Sequence, residues 1–283
     1  MALPTPLRVL SLCSGVGGLD LGLKLALGDG CRTVGYVERE AYAAAVLVAR
    51  MGDKALDEAP IWDDLTTFDG RPWRGAVDLV LAGFPCQPWS NAGARRGTDD
   101  ERWLWPLIEK VLREVEPSYV FLENVPGLVS GGGLGQVLGG LASLGFDAEW
   151  TVLGAEDIGA PHRRDRVFIL AYRDLWRTSG DGRQEPPHRA GSVGDPDLTR
   201  PQGRSHANGD PNEPPSWPPG PEERDRWANL LSEHPELAPA VESSLRGTSD
   251  GSAPRVDRLR ALGNGVVPAQ AAFAFRVLWG RLV

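Results

Sequence analysis

The sequence contains few cysteines and no long apolar run, and these absences exclude several classes of protein. Its 283 residues include three cysteines, Cys13, Cys31 and Cys86, whose spacing fits neither a disulfide framework nor a structural zinc site. No apolar run approaches the length of a membrane-spanning helix. Residues 1–10 also lack the long apolar stretch of a secretory signal. We therefore expect a protein of the reducing cytoplasm that uses no metal and contacts no membrane.

An excess of basic residues is missing as well. The formal net charge is -8 at pH 7, whereas proteins that bind nucleic acid usually show a basic footprint. The arginines are nevertheless concentrated in three short segments, at residues 95–96, 163–166 and 255–260. An acidic protein with one focused basic cleft can still bind DNA, so the net charge does not decide the question.

The apolar pattern predicts strands that alternate with helices. Short apolar runs predict strands at residues 7–12, 33–38, 77–82, 119–122 and 166–171. Helical spacing predicts helices at residues 19–27, 41–51, 103–115, 134–144 and 269–282. Such alternation is typical of an α/β protein, in which a doubly wound sheet is built through right-handed crossovers.

The composition changes near residue 175. Residues 177–221 are rich in proline and contain few large apolar side chains, so we expect long loops or partial disorder there in the free protein. One further helix is predicted at residues 222–233. The expected organisation is a main domain of residues 1–174 and 255–283, interrupted by a small irregular domain of residues 175–254.

The first candidate binding element is the glycine-rich segment 12–22, which follows the first predicted strand. It does not match the dinucleotide fingerprint, because the third glycine after Gly15 and Gly17 should fall at position 20, which is Asp20. The phosphate-binding Gly-Lys-Ser/Thr pattern is also absent. Two interpretations stay open: a purely structural turn, or a site for a nucleotide-like cofactor without phosphates, such as S-adenosylmethionine.

Two acidic residues bear on that choice. Glu38 ends the second predicted strand, where a carboxylate in a doubly wound sheet can accept hydrogen bonds from both ribose hydroxyls. Asp64 follows the next short segment. The alternative for both is a solvated charge at a strand end.

The second candidate element is the turn GFPCQPWS, residues 83–90, after the third predicted strand. Its prolines hold the thiol of Cys86 in a fixed direction, and Arg95 and Arg96 can favour the thiolate. Glu123 follows the strand at 119–122, so a neighbouring position for these two strands brings it beside Cys86. A thiolate can add to C6 of a pyrimidine while a carboxylic acid donates to N3, which makes C5 nucleophilic. Cys31 is interpreted as a core residue.

The sequence resembles the C5-cytosine DNA methyltransferases of bacteria and phages in six features that occur in the same order. They are LCSGVGG, Glu38, GFPCQPWS, ENV, an Arg-x-Arg pair and GNGVVP. The resemblance covers about residues 7–172 and 255–283. It implies a Rossmann-like mixed sheet that binds S-adenosylmethionine without a metal, and a target-recognition domain at 175–254. It also implies a monomer that methylates double-stranded DNA for restriction-modification, phage self-protection or orphan methylation. A cognate restriction endonuclease, encoded nearby but not bound, fits the first setting.

The resemblance assigns roles to individual residues. It makes Cys86 the nucleophile that attacks cytosine and Glu123 the group that engages N3, while Arg164 and Arg166 position the base that has been flipped out of the duplex. The implied substrate-binding residues are Phe84, Pro85, Ser90, Asn124, Arg95 and Arg96. The implied cofactor-binding residues are Cys13, Gly15, Gly17, Gly18, Glu38, Asp64, Leu104, Asn264 and Val266.

Two residues depart from the family pattern. Cys13 stands where the family usually has a phenylalanine beside the cofactor, and His162 replaces the usual glutamine of the arginine motif. Three alternatives to a DNA methyltransferase remain: a tRNA cytosine-5 methyltransferase, a DNA-binding relative without catalysis, and an oxidoreductase. The failed dinucleotide spacing weighs against the last of these.

Overall fold

The computed structural model describes residues 6–85, 103–160, 162–173, 229, 232 and 265–282. Several predicted site residues lie outside them: Cys86, Ser90, Arg95, Arg96 and Asn264. The proline-rich segment 177–221 and almost all of the predicted domain 175–254 also lie outside them. Within the predicted helix 222–233, the two described residues, Asn229 and Ser232, are both helical.

Seven strands form one sheet. They are β1 Leu7–Leu12, β2 Cys31–Val37, β3 Ile61–Trp62, β4 Leu79–Gly83, β5 Tyr119–Asn124, β6 Phe146–Leu153 and β7 Arg166–Arg173. Their order is β3-β2-β1-β4-β5-β7-β6. The first five strands in that order pair in parallel, and β7 is antiparallel to both β5 and β6. The prediction of a mixed sheet is therefore confirmed.

The helices of the described chain are α1 Gly18–Leu27, α2 Ala41–Gly52, α3 Trp105–Val115, α4 Gly127–Ser130, α5 Gly133–Ser143 and α6 Pro268–Leu282. All five predicted strands and all five of the longer helices predicted for this part of the chain are present, with ends displaced by a few residues. None of these described helices is long and apolar enough to cross a membrane.

The sequence pattern did not reveal β6. Its eight residues, FDAEWTVL, mix charged and apolar side chains, and most of them stay partly exposed. In the described part of the sheet, β6 is the edge strand and pairs on one side only, with β7. An edge strand needs fewer buried apolar side chains, so its sequence carries a weaker strand signal.

The core has two main parts, one on each face of the sheet. Alternate residues of β1, β4 and β5 enter opposite clusters, as the two-residue period of a strand requires. On one face, α3 contributes Ile108, Val111, Leu112 and Val115 at helical spacing. On the other face, α1 and α6 pack together over the sheet. This two-sided covering makes the sheet doubly wound.

Helix α6 approaches α1 closely because α1 contains a glycine at the contact. A Cβ atom on Gly22 would lie 2.6 Å from Cβ of Ala271 and 2.8 Å from the carbonyl oxygen of Pro268. The missing side chain therefore lets the segment 265–282 pack beside the start of α1. This contact brings residues from the end of the described chain to the loop that follows β1.

Candidate active site

The loop between β1 and α1 is held in a conformation that favours glycine. Gly15 and Gly17 have φ angles of 54° and 79°, and Cys13 between β1 and these glycines has a φ of 49°. The backbone amide of Ser14 donates to the carbonyl of Val37 at 3.1 Å, and that of Gly17 donates to the carbonyl of Ser14 at 2.9 Å. The loop is thus fixed against β2 by its own backbone.

Glu38 holds this loop by its carboxylate. One carboxylate oxygen accepts a hydrogen bond from the amide of Gly15 at 2.6 Å, and the other accepts from the amide of Glu40 at 2.7 Å. The amide of Glu38 donates to the carbonyl of Trp62 in the neighbouring strand at 2.9 Å. The side chain is buried, so it is not the solvated charge of the alternative interpretation.

Asp64 follows β3, two residues beyond Trp62, which lies at the same edge as Glu38. Its Oδ1 atom accepts a hydrogen bond from the amide of Thr66 at 2.8 Å, and this backbone bond is the main cause of a lowered pKa for Asp64. The side chain is therefore an oriented carboxylate near neutral pH.

A cavity opens between the glycine loop, the end of β4 and the start of the C-terminal segment. Of the predicted cofactor-binding residues, Cys13, Gly15, Gly18 and Val266 line it. The rest of its wall consists of Ser11, Leu12, Ser14, Val16, Leu19, Gly83 and Gly265. Most of these belong to the candidate segment 12–22, and Gly265 lies between the predicted residues Asn264 and Val266, so only Ser11 and Gly83 lie outside the predicted cofactor-binding segments. These two residues could have been predicted from their position at or next to the predicted motifs, because a loop that encloses a ligand usually contacts it with consecutive residues.

Four of the described residues predicted for the cofactor site do not line this cavity: Gly17, Glu38, Asp64 and Leu104. A Cβ atom on Gly17 would meet the side chains of Leu56 and Leu47 at 2.5 and 3.0 Å, so Gly17 faces the core behind the loop. Leu104 packs against the apolar cluster on the α3 face of the sheet. Gly17 thus allows the conformation of the loop, and Leu104 contributes to the packing around α3.

Neither described cysteine supplies a thiolate near neutral pH. Burial and the neighbouring Glu38 carboxylate raise the pKa of Cys13 to about 12. Burial, with a smaller effect of Asp57, raises the pKa of Cys31 to about 11. A reaction that uses a thiolate needs a different cysteine, which leaves Cys86 as the candidate by sequence.

The ends of β4 and β5 lie side by side, as expected for the two motif-bearing strands. Gly83, the last residue of β4, pairs with Glu123 of β5. A Cβ atom built on Gly83 would lie only 3.5 Å from Oε2 of Glu123 and 3.9 Å from Cγ2 of Val266. The carboxyl group of Glu123 is therefore next to the turn that leads toward Cys86, and close to the cavity wall.

Glu123 is a buried acid that is paired with an arginine. Nε of Arg166 donates to Oε1 of Glu123 at 2.9 Å, and the Glu123 side chain is 9% exposed. Burial raises the pKa of Glu123 to about 7, while the charges of Arg166 and Arg164 lower it and so partly offset the effect of burial. Near neutral pH the group exists in both protonation states, so it can donate a proton or accept one.

Arg164 lies just before β7 and is held by the C-terminal segment. Its Nη2 donates to the carbonyl of Gly265 at 2.5 Å, and its own carbonyl accepts from Nε2 of Gln270 at 2.7 Å. Burial, followed by the charge of Arg166, lowers the pKa of Arg164. Two arginines and one acid therefore share a small, mostly buried space, while His162 is exposed.

Asn124 and Phe84 support the turn after β4. Nδ2 of Asn124 donates to the carbonyl of Phe84 at 3.1 Å, and its Oδ1 accepts from the amide of Val125 at 2.8 Å. The Phe84 ring is buried and packs edge-on against Trp103, with 5.9 Å between ring centroids. The following residue, Pro85, is exposed. Phe84 is therefore an anchor of the turn, and the surface toward solvent is formed by Pro85.

Comparison with known proteins defines the class of protein and then the family. The solved structure of Entamoeba histolytica methyltransferase EhMeth superposes with a TM-score of 0.51 at 18% identity, and the match covers 65% of this chain and 58% of that one. The chain thus has the Rossmann-like fold of the S-adenosylmethionine-dependent methyltransferases. Residues 7–234 match the family described as C-5 cytosine-specific DNA methylase, and the chain belongs to that family.

The chain is also similar to type II methyltransferases of bacteria. It is 34% identical over 168 residues to type II methyltransferase M.NgoMIV of Neisseria gonorrhoeae, which covers 58% of this chain and 51% of that protein. It is 35% identical over 173 residues to type II methyltransferase M2.BsuMI of Bacillus subtilis (strain 168), covering 58% and 42% respectively. The chain thus spans about half the length of the curated relatives it matches.

Proposed function

We propose that this chain is a DNA (cytosine-5-)-methyltransferase that acts on a flipped-out cytosine through Cys86. The observation that carries the proposal is the Glu123–Arg166 pair at the end of β5, with 2.9 Å between Nε and Oε1. This pair lies beside the turn that leads to Cys86 and near the glycine-lined cavity. A polarised acid beside the turn that leads to a candidate thiol, on a methyltransferase fold, suits attack on a pyrimidine ring.

The cavity fits S-adenosylmethionine as the cofactor. Its walls include glycines and backbone amides, which allow close approach of a ligand, and Glu38 lies behind the loop as a buried carboxylate. No group of His, Cys, Asp and Glu in the described ranges is arranged to hold a metal ion. Cys13, Gly15, Gly18 and Val266 would hold the cofactor, with Glu38 toward its ribose and Asp64 toward its adenine. When bound, it supplies an electrophilic methyl group on a sulfonium.

Cys86, Glu123 and Arg166 would carry out the remaining steps of the reaction. The thiolate of Cys86 forms a bond to C6 of cytosine, and protonated Glu123 donates to N3, so the electron pair is placed on C5. Arg166 orients Glu123 and stabilises its anion once the proton has moved. After methylation of C5, a base that takes the C5 proton restores the double bond, Cys86 leaves C6, and Glu123 recovers its proton from N3.

The wider setting follows from the same proposal. Residues 1–174 and 255–283 form the catalytic domain, and residues 175–254 form the target-recognition domain that selects a sequence in double-stranded DNA. The base has to leave the duplex, because C5 and C6 cannot be attacked within the base stack. The protein works as a monomer in the cytoplasm, within a restriction-modification, phage self-protection or orphan methylation system, the first with a cognate endonuclease encoded nearby.

A covalent trap tests the mechanism. On duplex DNA of mixed sequence that contains 5-fluorocytosine, the wild-type protein with S-adenosylmethionine forms a stable adduct, because fluorine replaces the C5 proton that must depart. Cys86→Ser forms no adduct, whereas Cys31→Ala, which removes a buried thiol outside the site, still does. Denaturing gel electrophoresis detects the product. Absence of an adduct with the wild type contradicts the proposal, and an adduct on tRNA alone assigns RNA as the substrate.

A further inference from the structure

Gln270 joins α6 to the end of β6 and to the segment just before β7, where the arginine motif lies. It is fully buried in the first turn of α6, and its Nε2 donates to the carbonyls of Leu153 and Arg164, both at 2.7 Å. Leu153 is the last residue of β6 and pairs with Arg166 at the start of β7. A single amide group thus closes the end of the β6–β7 ladder that carries Arg166.

The same segment also holds Arg164 by its side chain. Nη2 of Arg164 donates to the carbonyl of Gly265, while Gln270 holds the carbonyl of Arg164. Two residues further along the chain, Arg166 reaches Glu123. A displacement of α6 would therefore be passed through Arg164 to the arginine that pairs with the buried acid.

Packing alone does not explain a glutamine at this position. Oε1 of Gln270 is buried and has no hydrogen-bond partner among the described residues, which costs stability. An apolar side chain of similar size would avoid that cost. Two carbonyls that converge on one point, however, are both satisfied by a donor with two protons, and the carboxamide nitrogen is such a donor without a buried charge.

We infer that Gln270 is a positioning residue, which holds Arg164 and Arg166 in the register that pairs Arg166 with Glu123. Its part in methyl transfer rests on the function proposed above, whereas its effect on the arginine–glutamate pair does not. Because Gly265 and Val266 also line the cavity, one continuous segment, residues 265–270, both contributes to the cavity wall and holds Arg164.

The contact with the glycine loop completes this connection. A Cβ atom on Gly18 would lie 2.6 Å from the carbonyl oxygen of Val266, so the loop and the segment already touch through their backbones. Gln270 lies four residues beyond Val266, in the first turn of α6. The segment 265–270 therefore borders the glycine loop at its start and holds the arginine motif through Gln270.

Substitution of Gln270 by methionine tests the inference, because methionine keeps the volume and removes both donors. The matched control is Arg276→Met on the same helix, which removes a hydrogen bond to the carbonyl of Leu25, on the side of α6 that contacts α1. Carboxyl-carbon NMR of protein with labelled glutamate, assigned with Glu123→Gln, follows the ionisation of Glu123. We expect its titration midpoint to rise by about half a pH unit or more in Gln270→Met, because the arginine charges move away.

Kinetics provide the second readout. In Gln270→Met we expect kcat for DNA methylation to fall by roughly ten- to a hundredfold, with the Kd for S-adenosylhomocysteine within about twofold of wild type, a margin of less than half a kcal/mol. Arg276→Met should change neither kcat nor the Glu123 midpoint. If Gln270→Met does not fold, Gln270→Asn, which keeps the amide but withdraws it by one methylene, is measured in the same way and should also raise the midpoint.

The outcomes separate the two proposals. An unchanged Glu123 midpoint in the folded Gln270 variant, or an equal shift in Arg276→Met, overturns the positioning role whatever the activity. A wild type that neither methylates nor traps DNA contradicts the proposed function, and the midpoint then still decides whether Gln270 positions the pair.

Discussion

The two halves of the site achieve order by different means. Around the cavity, the loop 13–18 is shaped by positive φ angles, backbone hydrogen bonds and missing Cβ atoms. At the end of β5, where we propose that the target base binds, Glu123, Arg164 and Arg166 are held by charge in a mostly buried space. The first half should therefore be disturbed by substitutions that add volume, and the second half by substitutions that change a charge.

The proposed function accounts for this difference. S-Adenosylmethionine has no phosphates, so under this proposal the glycine loop would recognise it by shape and by backbone donors. A cytosine ring under attack at C6 develops charge at N3, and a fixed acid in a buried space responds to that charge strongly. We therefore expect substitutions to separate the halves: charge changes should affect catalysis, and volume changes should affect cofactor affinity.

The largest expected effect is that of Glu123→Gln. Loss of the acid should lower kcat by about 10²- to 10⁴-fold while the Kd for S-adenosylhomocysteine stays close to that of wild type. Glu58→Gln, at an exposed acid, is the control. Radiolabelled methyl transfer and calorimetry measure the two quantities. Equal losses in affinity and in kcat would show that the two halves are not separate.

The pH dependence of the wild-type rate tests the role of Glu123 in a second way. The pKa of Glu123 is raised to about 7, so the protonated donor is present below that pH and is lost as the pH rises through it. We expect kcat to decline on the alkaline side of pH 7 and the decline to disappear in Glu123→Gln. A wild-type rate that stays level from pH 6 to pH 9 would count against Glu123 as the acid.

The next largest effect is expected from Gly18→Ala. The added Cβ would lie 2.6 Å from the carbonyl oxygen of Val266, so the C-terminal segment has to shift. Overpacking of this kind costs about 1 to 3 kcal/mol, which should weaken S-adenosylhomocysteine binding by roughly ten- to a hundredfold. At saturating cofactor, kcat should fall much less than in Glu123→Gln.

Gly135→Ala is the matched control for that substitution. Gly135 lies within α5, and a Cβ atom there would meet nothing within 4 Å. Alanine should leave cofactor affinity unchanged and stabilise the protein by about 0.5 to 1 kcal/mol. If Gly135→Ala weakened cofactor binding as much as Gly18→Ala does, the effect of Gly18→Ala would not be specific to its contact with Val266.

The smallest effect on function is expected from Asp20, a buried acid beneath the glycine loop. It accepts hydrogen bonds from the hydroxyls of Ser11 and Thr33, at 2.9 and 3.3 Å. Burial is the main cause that raises its pKa to about 6. Because the folded state keeps this proton more tightly than the unfolded state, its contribution is present below about pH 4 and is lost as the pH rises through about 6.

Asp20→Asn should remove this pH dependence, which is worth on the order of 2 kcal/mol, and leave kcat unchanged. Urea unfolding between pH 4 and pH 7 measures it, with the exposed Asp29→Asn as control. An Asp20 variant whose stability keeps the wild-type slope with pH would show that another group titrates there.

The sequence predicted most of the sheet and the adjacency of the two motif-bearing strands. Gly83 pairs with Glu123 because a parallel sheet aligns the carboxyl ends of its strands, so that inference needed only the neighbouring order of β4 and β5. Strand β6 escaped prediction because an edge strand carries a weak apolar pattern. Gln270 escaped as well, since a glutamine in a helix shows its role only when the carbonyls it meets are known.

The close contact of α1 and α6 also has a consequence for the order of events during synthesis. Arg276 donates to the carbonyl of Leu25 across 251 residues of sequence. At a translation rate of about 5 to 20 residues per second, roughly 13 to 50 seconds separate the emergence of these two helices from the ribosome. Throughout that interval the glycine loop lacks the wall formed by Gly265 and Val266. The nascent chain is therefore unable to complete this cavity, the proposed cofactor pocket, until the segment before α6 has been made.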